Sequence, residues 1–131
     1  MLYDLGRPKP QKDSDVDTFR KLVKKYITDS NTKIVVAKLD DVKIIGMVSL
    51  VFLTRLNRTT LELYIPELVV LEKYQNQGIG TKLMNSCIAL VKEKNCHRIR
   101  LESGNQRKES HRFYKNLGFE QSALSFTKNL N

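Results

Sequence analysis

One stretch limits what this chain can fold into more than any other: Leu68-Val69-Val70-Leu71-Glu72-Lys73-Tyr74-Gln75-Asn76-Gln77-Gly78-Ile79-Gly80-Thr81-Lys82-Leu83. It opens as a β-branched strand, passes through a polar turn holding two glycines, and enters an amphipathic helix. Glycine lacks a Cβ, so the backbone there turns tightly and lets a ligand approach. The helix that follows begins with N–H groups that have no partner inside it. With the positive end of the helix dipole, these donors make a site for anions such as phosphate.

Two nucleotide-binding patterns fail on this stretch. A phosphate loop of the ATPase kind needs Gly-Lys and then Ser or Thr, whereas Gly80 is followed by Thr81 and Lys82. The dinucleotide fingerprint needs a third glycine where Leu83 stands. What remains is Gln-x-x-Gly-x-Gly, carried by Gln75, Gly78 and Gly80, with Val70 upstream.

The surrounding chain provides the setting. Its 131 residues are enough for one domain with a core of its own, and 40% apolar with 28% charged residues suits a globular protein. No apolar run approaches the roughly 18 residues of a membrane span, and the N-terminus lacks the order of a secretory signal. The expected location is cytoplasmic, with no membrane partner. A net charge of +9 favours anionic ligands through its long-range field. Basic residues are not interleaved with aromatics in the manner of a single-strand binder, so nucleic acid is not expected. Cys87 and Cys96 are too far apart on one helix to pair, and neither is expected to act as a nucleophile. No CxxC or Cys/His cluster suggests a metal, and His97 and His111 read as isolated residues.

In chain order, Pro8 and Pro10 mark an irregular start, so residues 1–13 hold at most a short first strand. Ser14-x-x-Asp17 resembles a helix-capping pair, and Val16, Phe19, Leu22, Val23, Tyr26 and Ile27 recur at helical spacing behind it. Lys33 to Leu39 and Lys43 to Thr54 read as a hairpin around Asp40-Asp41, with Gly46 marking a bulge or close packing. Thr60 to Leu71 is a third strand. Pro66 within it lacks the N–H a ladder needs, which points to a bulge and to a strand partly released from its neighbour. A helix over 78–94 ends at Asn95, and a short strand over 98–102 follows, giving a parallel pair. Asn105 is placed as the cap of a last helix over 106–117, ended by Gly118, and Phe119 onward as a closing strand or hairpin containing Phe126.

This order, the Gln75–Gly80 pattern, and His111-Arg112-Phe113-Tyr114-Lys115-Asn116-Leu117-Gly118-Phe119 together resemble the GNAT superfamily of acetyl-CoA-dependent N-acetyltransferases. The last segment is similar to that family's Phe-Tyr-x-x-x-Gly-Phe. The resemblance covers about Ile34 to the C-terminus, and Glu72 departs from it by replacing a proline common there. It implies a mixed α+β fold: a central sheet of about six strands, with an antiparallel meander and a parallel pair, flanked by about three helices. Residues 1–131 would form a single domain.

It also implies a site. Gln75, Asn76, Gln77, Gly78, Ile79, Gly80 and Thr81 would hold the coenzyme A pyrophosphate, with Lys82 at the rim. Leu68, Val69, Val70 and Leu71 would run beside the pantetheine arm, and an N–H of Val69 or Val70 would polarise the acetyl carbonyl. Asn105 would bond the same arm. Tyr114 would contact the cofactor and protonate the leaving thiolate, and Glu67 would act as base, with Glu102 and Glu62 as substitutes. The co-substrate is then acetyl-CoA, with no metal. The acceptor is expected to be a small-molecule amine; the alternatives are protein or peptide amino groups, or a module that binds acetyl-CoA without turnover. Monomer and homodimer are both left open.

Overall fold

The protein is described by a computed structural model that covers residues 13–130, with side chains from residue 16. Of the irregular or short-stranded start expected over 1–13, residues 1–12 lie outside the described residues; Ser14, the expected cap, falls within the first helix, which begins at Asp13, and its side chain is outside the description. The chain divides into two compact units, Met1–Arg100 and Leu101–Asn131.

In the first unit, α1 (Asp13–Thr28) is amphipathic, but its covered stripe is narrower than the sequence suggests. Val16, Phe19, Val23 and Tyr26 are half-buried, whereas Leu22 and Ile27, on the flanks, are 50% and 65% exposed. The spacing 16-19-23-26 is a seam one residue wide per turn, too narrow to cover its flanks. Strands β1 (Thr32–Leu39) and β2 (Lys43–Leu53) form the expected hairpin, with Asp40 in the left-handed region at φ 56°. Between the pairs Ala37↔Gly46 and Lys38↔Ile44 the second strand carries one extra residue, Ile45. The bulge therefore sits beside Gly46, and close packing holds there too. A Cβ on Gly46 would lie 3.2 Å from Leu83 Cδ1 and 3.3 Å from Ile79 Cγ2.

The third strand is broken where Pro66 interrupts it, into β3 (Glu62–Ile65) and β4 (Leu68–Val70), both antiparallel to β2. Val51 faces Tyr64 and Val48 faces Leu68, so the outer strand is one residue longer than β2 across the break. This is the expected bulge. Strand β5 (Arg98–Leu101) lies next to β3, in the order β1-β2-β3-β5, while β4 pairs with β2 alone. Among the described residues, five strands make a mixed sheet with β3 and β5 as its parallel pair, accompanied by three helices. α2 (Ile79–Glu93) ends through Asn95 at φ 55°. The Cys96 N–H donates to Val91 O at 2.9 Å and that of Asn95 to Lys92 O, the paired bonds of a left-handed helix cap.

The core lies between the sheet and α2, built from Val48, Leu50, Phe52, Leu63, Ile65, Leu83, Met84 and Cys87. Gly46 and the even-numbered β2 residues after it face α2. Ser49, of the opposite parity, lies beside Tyr26 of α1, so the two helices cover opposite faces of the sheet.

In the second unit, α3 (Lys108–Asn116) starts two residues later than expected, with Arg107 at its N-cap position. Asn105 lies in the turn before it and does not cap the helix. The end is as expected. Gly118 adopts φ 91°, its N–H donating to Lys115 O and that of Phe119 to Tyr114 O, each at 3.0 Å. The closing strand is not formed: residues 119–130 contain no helix or strand, so five strands are present among the described residues. Leu124 and Phe126 alternate as a strand would require but are 77% and 90% exposed. Scattered apolar side chains left exposed in a largely polar run offset little of the entropy lost on ordering it.

Candidate active site

Strand β4, which pairs with β2 alone, supplies the first part of the site. Leu71 N–H donates to Ile45 O and Ser49 N–H to Glu67 O, each at 2.9 Å. The backbone groups of residues 67, 69 and 71 therefore point at β2. By the alternation of an antiparallel ladder, the N–H and C=O of Leu68 and Val70 point away from it. This separates the two expected oxyanion donors, because the Val69 N–H belongs to the ladder and that of Val70 faces outward. No other strand of the described residues pairs with β4. The outward Val70 carbonyl accepts from Gln75 Nε2 at 2.9 Å, so Gln75 ties the turn to the strand rather than pointing into solvent.

The turn then prepares the helix mouth. Glu72–Tyr74 form a single 3-10 turn, closed by Tyr74 N–H to Leu71 O at 2.8 Å. Asn76 and Gly78 both take positive φ, 62° and 83°. Gly78 is the N-cap of α2, and no side chain caps that end. The first α2 bond runs from Lys82 N–H to Gly78 O at 3.1 Å, so the N–H groups of Ile79, Gly80 and Thr81 have no partner within the helix. No acidic residue lies in the first turn. Lys43 and Lys73 gather over the Tyr74 ring, 5.3 and 5.8 Å from its centroid. Lys82 is exposed on the first turn of α2. The mouth can accept an extended anion along its backbone.

Glu67, just after the bulge, points to the α1 face of the sheet. The Ser49 hydroxyl donates to its carboxylate and accepts from the Glu67 N–H at 3.0 Å. Ser49 is only 3% exposed. The Tyr26 hydroxyl is buried on the same face; burial pushes its pKa up, the neighbouring Ser49 hydroxyl pulls it down, and the Glu67 carboxylate adds to the rise.

Glu62 does not serve as an alternative base. Its side chain is fully buried and bonded to Arg100 at 2.6 Å, Arg98 at 2.9 Å and Arg55 at 3.2 Å. Burial alone would raise its pKa, but the hydrogen bonds from Arg100, Arg98 and Arg55 more than offset this and hold it at about 2. Such a carboxylate is a poor proton acceptor at neutral pH. Burial pushes the Cys87 thiol up to about 11 and raises Cys96 as well, so neither is a ready nucleophile.

In the second unit, Tyr114 on α3 is in edge-on contact with Phe113 and Phe119, at 5.2 and 5.8 Å between ring centroids. Burial raises its pKa and the nearby Arg107 only partly counters this, so the phenol keeps its proton at neutral pH. His111 Nε2 donates to Gly104 O at 2.8 Å, fixing the turn that carries Asn105. Glu102, the other substitute base, accepts from the Ser125 hydroxyl at 3.2 Å. An open groove of about 490 Å³ is lined by Asn105, Lys108, His111, Arg112, Lys115 and Gln121. Lys108, Arg112 and Lys115 are not singled out by the sequence pattern, although their spacing already puts them on one helix face. Nor is Ser49, though it is a lone polar residue in an apolar strand. Nothing in the pattern around Tyr26 separates it from a core aromatic.

Among the described residues no group of acidic, histidine or cysteine side chains could hold a metal. Likewise, no described helix is long and apolar enough to cross a membrane.

Residues 1–119 match the Acetyltransferase (GNAT) family, and the chain belongs to that family. The match begins earlier than Ile34 and stops before the irregular tail. The chain is 32% identical over 88 residues to an aminoalkylphosphonate N-acetyltransferase of Salmonella typhimurium, covering 67% of this chain and 57% of that protein. It is 37% identical over 68 residues to human N-alpha-acetyltransferase 30, covering 52% of this chain and 19% of that one. It therefore spans little over half of the first relative and a fifth of the second. Among solved structures, a transcriptional regulator from Bacillus halodurans superposes with a TM-score of 0.82 at 28% identity, covering 87% of this chain and 76% of the other.

Proposed function

We propose that this protein transfers the acetyl group of acetyl-CoA to an amine by direct attack, with both substrates bound together. The observation that carries this is the continuity of the open β4 edge with the uncapped start of α2. The fit rests on the residues present: the outward N–H and C=O of Leu68 match an amide of a pantetheine arm, as an added strand would, while the Val70 carbonyl is held by Gln75. The free N–H groups of Ile79, Gly80 and Thr81, with Gln77 and Gly78 before them, suit a pyrophosphate. Gln75 and Asn76 shape that turn, and Asn105 is proposed to bond the arm. The bound thioester supplies an activated acetyl group.

Each remaining step belongs to a residue. The Val70 N–H is proposed to donate to the acetyl oxygen as charge develops on it, an interaction worth roughly 3–4 kcal/mol where such donors are preorganised. Glu67 takes a proton from the acceptor's ammonium, directly or through water. Tyr114 gives its proton to the departing thiolate, and the second proton that the nitrogen sheds as the amide forms restores the phenol. Both carriers are held by local structure, so much of the acceleration would come from positioning.

For the acceptor, we propose a small amine that carries a negative group. The α1 face that holds Glu67 also holds three guanidinium groups around one carboxylate, and the aminoalkylphosphonate enzyme is the relative with the longer match. A peptide α-amino group is the second reading, favoured by the similarity to N-alpha-acetyltransferase 30. Calorimetry with acetyl-CoA, followed by thiol release with a panel of amines, tests the proposal. Binding with turnover on one class of amine is expected. Absence of heat with acetyl-CoA would refute the whole reading, and binding without thiol release on any amine would leave only a cofactor-binding module.

A further inference from the structure

We propose that the Tyr26 hydroxyl and the Glu67 carboxylate together receive the acceptor's amino group, with Ser49 as the residue that positions the carboxylate. This rests on the acetyl-transfer reading above.

Three observations converge on one face of the sheet. Among the described residues the buried Tyr26 hydroxyl has no partner within hydrogen-bonding distance, although Ser49 and Glu67 both lie near enough to act on its ionisation. An unmet buried hydroxyl is costly, and such groups are almost always paired in a native protein. The second observation is that the natural partner is already engaged. Ser49 has one proton, and it goes to the Glu67 carboxylate, while its oxygen accepts the Glu67 N–H. Tyr26 is thus left with an open acceptor beside a carboxylate. The third is that Ser49, almost fully buried in β2, links to both the main chain and the side chain of Glu67, so the carboxylate cannot rotate freely.

An arriving ammonium group fits this arrangement. One of its protons passes from nitrogen to a Glu67 oxygen, breaking that N–H bond and forming an O–H bond. A remaining N–H donates to Tyr26 Oη. The nitrogen lone pair is then free, and the neutral phenol holds the amine in place without competing for its proton. Glu67 later returns the proton to solvent.

The test uses the full chain, acetyl-CoA, and two acceptor probes: an aminoalkylphosphonate and a short peptide with a free α-amino group. For the probe that is turned over, Y26F should raise the acceptor KM about tenfold, the equivalent of one hydrogen bond, and leave the acetyl-CoA Kd unchanged. S49A should lower kcat, and S49T, which keeps the hydroxyl, should restore most of it. A readout free of activity is the phenol titration followed by ultraviolet absorbance. E67Q should lower the pKa of the component that Y26F removes. An unchanged acceptor KM in folded Y26F, or a Tyr26 titration indifferent to E67Q, overturns this dock while normal acetyl-CoA binding keeps the acetyl-transfer reading intact. If S49T is as impaired as S49A, the hydroxyl is not what positions Glu67, and that part of the proposal fails. Loss of acetyl-CoA binding by the wild-type chain overturns both.

Discussion

Replacing Glu62 with glutamine should destabilise the protein by about 3 kcal/mol at pH 7, and the loss should shrink in acid. Glu62 clasps β5 to β3 ahead of the Pro66 break; its two oxygens take Arg100 on one side and Arg98 with Arg55 on the other. Its carboxyl is held at about 2 against an ordinary 4.5. Each tenfold change in acidity corresponds to about 1.4 kcal/mol, so the ionised form contributes about 3 kcal/mol. Removing one partner of a buried ion pair independently suggests about 3–5 kcal/mol. The folded pKa is depressed, so this stability is fully present above the unfolded pKa of 4.5 and is lost as pH falls through about 2. By pH 3 less than half of it should remain. Urea unfolding of wild type and E62Q at pH 7, 5 and 3 measures the difference directly. A penalty under about 1 kcal/mol at pH 7, or one that stays constant down to pH 3, would show that the three arginines do not depend on this carboxylate.

Y114F should lower kcat by about a hundredfold while the calorimetric Kd for acetyl-CoA stays near that of wild type; undiminished turnover would remove Tyr114 from the mechanism. G78A meets no atom within 4 Å but must hold φ 83°, so it should cost about 1–2 kcal/mol in backbone strain and weaken acetyl-CoA binding. Retained stability and affinity would mean that this turn does not need a left-handed residue. G46A puts a methyl 3.2 Å from Leu83 and 3.3 Å from Ile79, and the crowding should cost about 1–3 kcal/mol in denaturant unfolding. A neutral result would show that the first turns of α2 can shift away from β2.

What could be read from the chain was what lies close together along it. Leu68 to Thr81 carry the strand, turn and helix mouth in order, so one local pattern was enough to locate that part. The stop signals at Asn95 and Gly118 were legible for the same reason: each acts within its own helix end, and both take the left-handed conformation their positions require. The failures lie where the outcome depends on burial. Leu22 and Ile27 have helical spacing but flank a stripe narrower than their pattern. Leu124 and Phe126 alternate like a strand, yet a strand also needs a neighbour, and no periodicity reports one.

The sequence pointed to a break at Pro66 and to Glu67, but the phase that sets the proposed acceptor side could not be read from any pattern, because a single inserted residue decides it. Tyr64 pairs with Val51 and Leu68 with Val48, so the two ends of the outer strand are in opposite phase. Without the extra residue at the Pro66 break, the alternation that sets Glu62 and Tyr64 on the α1 face would carry Glu67 to the α2 side. There its carboxylate would be in the apolar core, away from Ser49. The bulge re-aims it and also decides which amides of β4 point outward, making Val70 rather than Val69 the free donor. Pro66 signals that a break exists, but its phase appears only in the pairing. That phase selects both the carboxylate that can meet an amine and the N–H that can meet an oxyanion, so the two halves of the proposed chemistry depend on the same insertion.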